Sequence, residues 1–237
     1  MGLSHLEVYL TEWNSTTYHR DLTNDTLYKS SYIVKNIVEN LDRISGFGYW
    51  VLSDNIEETA GSPRLFHGGL GLMTQFGIPK PAMLAYELLA KLGDNLIHQE
   101  NGYVVTADNR GYQILAYNYC HFDDLYAIGD TSFISDTHRY NAFKDEKTIK
   151  LEIELKGIPS GHYRMITHTV NRAHGSSFDE WVKMGSPANV NHEDIQYLKA
   201  VSIPKRESHT LKIEEKWTYT SILEPHAISL VELLPVF

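Results

Sequence analysis

Chemistry-bearing residues gather in two short stretches near the start of the chain. The segment Leu10-Thr11-Glu12-Trp13-Asn14-Ser15 puts a carboxylate, an indole and an amide at consecutive positions. Further along, Trp50, Asp54, Glu57 and Glu58 fall close together, and Arg64, Phe66 and His67 follow ahead of Gly68-Gly69. An acid, aromatic faces and a few hydrogen-bonding groups are what is needed to hold a sugar ring and attack its anomeric carbon. A retaining glycosidase uses two carboxyl groups roughly 5–5.5 Å apart, one as nucleophile and one as acid/base. Glu12 suits the nucleophile. On the pattern alone, Thr11-Glu12 is more often an exposed acid ending a strand. Asp54, Glu57 and Glu58 read as solvated loop acids or acceptors for sugar hydroxyls, and Trp13 and Trp50 as core more often than platform.

The elements that must position these residues change character along the chain. Residues 6–13 predict a strand and residues 23–43 an amphipathic helix, with Leu27, Tyr28, Ile33, Val34, Ile37, Val38 and Leu41 at helical spacing. Thr23-Asn24-Asp25 is expected to cap its first turn. Ile44 to Ser53 reads as a second strand, a long loop runs to Pro79, and Pro81 opens a helix, Ala82 to Leu92, which Gly93 closes. That order is two βα units of a parallel α/β fold. From Gly102 the period becomes two, with strands expected at 102–107, 112–119, 147–155, 160–170, 208–216 and 226–234, and short helices at 178–184 and 192–200. The expected architecture is α/β plus all-β: residues 1–97 the last two βα units of a (β/α)8 TIM barrel, and residues 98–237 an antiparallel β-sandwich. Functional groups of such barrels stand at the C-terminal ends of strands, where Glu12, Trp13, Asn14 and Trp50 fall. Two βα units cannot close a barrel, so the chain is expected to be the C-terminal part of a longer protein. The unpaired parallel edge makes a homo-oligomer a further expectation.

Composition narrows the function. The net charge is −9 and the pI about 5.7, which argues against nucleic acid as a partner, since phosphate contact needs a basic face. The opening residues predict no secretory signal, and no apolar run predicts a membrane span. The lone Cys120 cannot form an internal disulfide, which fits a cytoplasmic protein. Its neighbour His121 would face the other way on a strand, arguing against a Cys/His catalytic pair. In such a compartment the sequons at Asn14 and Asn24 carry no meaning. His162 and His168 share a strand face but lie about 20 Å apart, too far for one metal.

Four blocks in order bring a family into view. Leu-Thr-Glu-Trp-Asn-Ser at 10–15, Gly-Tyr-Trp-Val-Leu-Ser-Asp at 48–54 with Glu57-Glu58, Phe-His-Gly-Gly-Leu-Gly-Leu at 66–72 and Gly-Ile-Pro-Lys-Pro at 77–81 resemble glycoside hydrolase family 39, the β-xylosidase family. The likeness continues through Asn171, Gly175 to Trp181, Met184 to Pro187 and Pro225-His226. It implies that Glu12 is the nucleophile and that Trp13, Asn14, Trp50, Asp54, Glu57, Glu58, Phe66 and His67 lie on segments lining a site for a xylose-type sugar or xylo-oligosaccharide. It implies no metal and no cofactor. The family's acid/base glutamate belongs to an Asn-Glu-Pro motif on an earlier strand, and the one Glu-Pro pair here, Glu224-Pro225, follows Leu223. The chain by itself is therefore expected to be inactive. Residues 14–26 and 174–185 also resemble the family 39-like module of AraC-type transcription regulators, in which the same pocket would sense a sugar.

Overall fold

The computed structural model describes residues 6–56 and 62–236. In chain order these form β1 (Tyr9–Trp13), α1 (Tyr28–Val38), β2 (Gly46–Tyr49), α2 (Pro81–Leu89), β3 (Asn95–Glu100), β4 (Tyr103–Asp108), β5 (Gly111–Tyr117), α3 (Asp124–Ala127), β6 (Ile149–Lys156), β7 (Gly161–Val170), α4 (Ser177–Lys183), α5 (His192–Val201), β8 (Lys205–Ile213), β9 (Lys216–Leu223) and β10 (Ile228–Val236).

β1 and β2 lie parallel, with Tyr9 opposite Gly46 and Trp13 opposite Tyr49, and α1 makes the crossover between them. The first helix is shorter than its periodicity predicts. Thr23, Asn24 and Asp25 do not cap it; they are buried in a separate 3-10 turn, Leu22–Asp25, which Asp21 caps by accepting from the Thr23 N–H. The physical reason lies in what these side chains hold instead. Asn24 donates to the Gly68 carbonyl, and Asp25 accepts from the Gly68 N–H at 2.7 Å, so both serve the loop after β2. The second strand also ends early. Beyond Tyr49 the chain turns to bond residues 72 and 73, with Val51 accepting from Leu72 and Leu52 from Met73.

The antiparallel part is a six-stranded sheet in the order β3-β4-β5-β10-β7-β8, with β6 and β9 paired as a second layer. β10 occupies a central position, flanked by β5 and β7, and is buried on both faces from Ile228 to Leu233. Val104, Leu115, Val170 and Leu230 face α1 and α2 and share one core with Leu27, Ile33, Leu84 and Leu88. Alternation sends Val105, Ile114 and Val231 to the other face, against Ile153 of β6 and Tyr219 of β9. Helices α1 and α2 therefore sit directly on the sheet. Two strands escape the sequence reading. β3 starts at Asn95, which puts residues 95–97 in the sheet; Asn-Leu-Ile-His-Gln-Glu is mostly exposed edge with a bulge after Leu96, and lacks apolar alternation. The run read as one strand at 208–216 is the hairpin of β8 and β9, turning through Glu214-Glu215 without a glycine or asparagine to mark it.

Cys120 is buried while His121 is exposed with its ring edge-on to Tyr119, so the two do not form a pair. None of the helices among the described residues is long and apolar enough to cross a membrane.

Candidate functional site

β1 ends at a cleft of about 620 Å³. Glu12, Trp13 and Asn14 line it from that strand end, and Trp50 comes from the end of the parallel neighbour β2. Glu12 is exposed, and among the described residues it is the one carboxylate lining the cleft. The Trp13 ring stacks on Tyr32 of α1 at 5.6 Å and meets Phe47 and Tyr49 edge-on at 5.2 and 6.0 Å, so one face is packed while the residue still borders the cleft. Ser15, Thr16, Thr17, His19 and Leu70 complete the lining. Sequence reasoning assigned none of these residues to the site, although the Ser-Thr-Thr run three residues beyond the strand-end acid was a readable sign of a hydroxyl-rich rim.

Both polar atoms of the Asn14 side chain and its backbone carbonyl are held. Its amide donates to the Trp50 and Leu70 carbonyls, its side-chain oxygen accepts from the Ser15 N–H at 2.8 Å and from Lys29 Nζ at 2.7 Å, and its backbone carbonyl accepts from the Tyr32 hydroxyl. This ties the two strand ends together. Lys29, in the first turn of α1, has no exposed surface, and burial pushes its amine down to about 7 against the pull of Asp21 and Asp25. It stands on the apolar stripe four residues before Ile33, the one sign in the sequence that it points inward.

Other expected site residues lie elsewhere. Asp54 does not line the cleft: its side chain is fully enclosed, ion-paired to Lys80 at 2.6 Å and accepting from the Gly71 N–H at 2.8 Å. Burial pushes its carboxyl up despite Lys80. Lys80 also meets Asp25 at 2.6 Å, and Asp25 meets Arg139 at 2.6 Å. Burial works against the charge of Asp25, but Lys80 and Arg139 outweigh it and hold that carboxyl below its usual range. Gly68 closes this cluster at φ +78°, where a Cβ would stand 2.5 Å from the Asp21 carbonyl. Phe66 is core, its ring 5.9 Å from Phe178 and 5.6 Å from Trp181. His67 borders a separate depression with Arg64 and Asp136. Glu57 and Glu58 fall outside the described residues.

Comparison with known proteins matches residues 2–217 to the family model described as Glycosyl hydrolases family 39. A β-xylosidase of Caldicellulosiruptor saccharolyticus is 29% identical over 232 residues, covering 96% of this chain and 44% of that protein. An uncharacterized HTH-type transcriptional regulator of Staphylococcus aureus (strain COL) is 21% identical over 224 residues, covering 94% of this chain and 29% of the regulator. The fold also matches the crystal structure of a monomeric β-xylosidase from Caulobacter crescentus CB15, with TM-score 0.84, 24% identity, and coverage of 98% of this chain and 46% of that one. The chain spans less than half the length of each of these proteins.

Proposed function

The chain belongs to family 39 of the glycosyl hydrolases, and we propose that it supplies the C-terminal share of a retaining glycosidase site of the β-xylosidase type. In this reading residues 1–97 are the last two βα units of a (β/α)8 barrel and residues 98–237 its β-sandwich. Glu12 attacks the anomeric carbon of a xylose-type glycoside. The bond to the leaving oxygen breaks, a covalent glycosyl-enzyme forms, and water releases the sugar. Trp13 and Trp50 hold the ring, and the hydroxyl side chains that follow Asn14 receive the sugar's own hydroxyls, with Asn14 anchoring the strand end beneath them.

The observation that carries this reading is the position of Glu12, exposed at a strand end in a cleft walled by two indoles and a run of hydroxyl side chains. Leaving-group protonation needs a second carboxyl, and we assign it to an Asn-Glu-Pro motif outside residues 1–237. The chain alone is then inactive. The test is release of nitrophenol from an aryl β-xyloside by the complete protein, abolished by Glu12→Gln.

A second reading draws on the match to the HTH-type regulator over 94% of the chain. The same cleft would sense a sugar without cleaving it. Tight sugar binding by the complete protein with no turnover would favour this reading and sink the first.

A further inference from the structure

A buried lysine stands directly behind the cleft wall. Lys29 donates to Asn14 Oδ1 at 2.7 Å and to the Ser15 hydroxyl, and both residues line the cleft within three positions of Glu12. The rings of Tyr28 and Tyr32 flank its nitrogen at 5.9 and 5.7 Å. Among the described residues no carboxylate comes within ion-pair distance of it, whereas the other enclosed lysine, Lys80, has two. The charged groups that reach Lys29 come from three places: Asp21 before the 3-10 turn, Asp25 within it, and Lys80 ahead of α2. Asp21 is already engaged by Thr23 and the Tyr126 hydroxyl, and Asp25 by Lys80 and Arg139.

The hydrogen-bond inventory of the two nitrogen states then decides what the wall offers. An ammonium has three protons and no lone pair, so the Ser15 oxygen must accept from it and the Ser15 proton is left for another partner. A neutral amine has a lone pair and can accept that proton itself. We propose that Lys29 is a positioning residue of the cleft: it fixes Asn14 and sets the direction of the Ser15 hydroxyl, which donates to a sugar hydroxyl while Lys29 is charged and offers only lone pairs when Lys29 is neutral. The ligand in this proposal, a xylose-type sugar, rests on the glycosidase reading above; the Lys29–Asn14–Ser15 relay does not.

The experiment follows both parts in the intact protein that carries this chain. Carbon-labelled lysine and the Asn14 side-chain amide are followed by NMR as pH is raised, with xylose affinity measured by calorimetry at the same pH values. The Lys29 Cε and Asn14 amide signals should move together with a midpoint at about 7. Xylose affinity should change about three- to tenfold across that midpoint, and Ser15→Ala should flatten the change. Lys29→Arg, charged at every pH used, should abolish the Asn14 titration and keep affinity constant. An Asn14 amide that ignores the Lys29 titration overturns the proposal, as does a Ser15→Ala variant that keeps the wild-type pH profile of affinity. Coupled titration of Lys29 and Asn14 with no xylose binding at any pH upholds the relay and counts against the glycosidase reading.

Discussion

Lys80 Nζ stands 2.6 Å from Asp54 Oδ2, and neither side chain is exposed. The pair joins the N-terminus of α2 to the turn after β2, and Asp25 and Arg139 extend it to the 3-10 turn ahead of α1 and to the residues after α3. Two cations and two carboxylates thus balance inside the core that carries the cleft. The amine of Lys80 is pulled down by burial, but Asp25 and Asp54 outweigh that and raise it above the usual lysine range. It stays charged.

Removing one member should leave an uncompensated buried charge. Lys80→Met strands Asp54, whose remaining contacts include the Gly71 N–H, and leaves Asp25 with Arg139 and the Gly68 N–H. The expected loss is about 3–5 kcal/mol of unfolding free energy, read from urea denaturation. A loss below about 1 kcal/mol would mean that the cluster is strained or already wetted.

Lys29 should give the fold a separate dependence on pH. Its amine ionises at about 7 in the folded chain against 10.5 as the ordinary value. Between those values the unfolded chain holds more protons, so stability rises with pH across the window and its contribution is lost as pH falls through about 7. The difference in unfolding free energy between wild type and Lys29→Met isolates this from other titrating groups. That difference should shift toward the wild type by up to about 1.4 kcal/mol per pH unit above the folded midpoint. A difference that is flat with pH would show that Lys29 is solvated in solution.

What the sequence made legible, and what it hid, follows from how each residue is used. Glu12, Trp13 and Asn14 are consecutive at a strand end, and the parallel rule brings Trp50 beside them, so this part of the cleft could be read without coordinates. Asp54 looked the same in sequence as a loop acid facing solvent. Only the fold brings Lys80 to it, from 26 positions further along. The run at 226–234 could be read as a strand and is β10, whereas edge strand β3 carries no apolar alternation because half its surroundings are water. Lys29 and Lys80 were missed for a common reason: lysine is read as solvent face by default, and both are enclosed, with only the place of Lys29 on the stripe of Ile33 to hint at it.

The indoles allow a direct reading of ligand entry. Of the four tryptophans, Trp13 and Trp50 line the cleft, while Trp181 packs on Phe66 and Trp217 stacks on Tyr219 of the same strand, β9, at 5.6 Å. Xylose should therefore change the intrinsic fluorescence of the complete protein through Trp13 and Trp50. Trp50→Ala should weaken binding about three- to tenfold by removing a ring face. A fluorescence response that survives in a Trp13→Phe, Trp50→Phe double variant would place the sugar elsewhere.

The two acids that looked alike in sequence should separate cleanly by experiment. Glu12 is exposed and makes no ion pair among the described residues, so Glu12→Gln should leave unfolding free energy within about 0.5 kcal/mol of wild type. In the complete protein the same change removes the carboxylate that would attack the anomeric carbon. Turnover of an aryl β-xyloside should then fall on the order of a thousandfold or more, with sugar binding kept. Asp54→Asn should do the reverse, because it takes a negative charge from beside Lys80 inside the core: stability should drop by several kcal/mol, on the order of that for a broken buried pair. Measured per folded molecule, its turnover should stay within about tenfold of wild type, since the carboxylate has no surface in the cleft. If Asp54→Asn abolished turnover while leaving the denaturation midpoint unchanged, its carboxylate would have to reach the sugar, and the enclosed pair with Lys80 could not be its resting state.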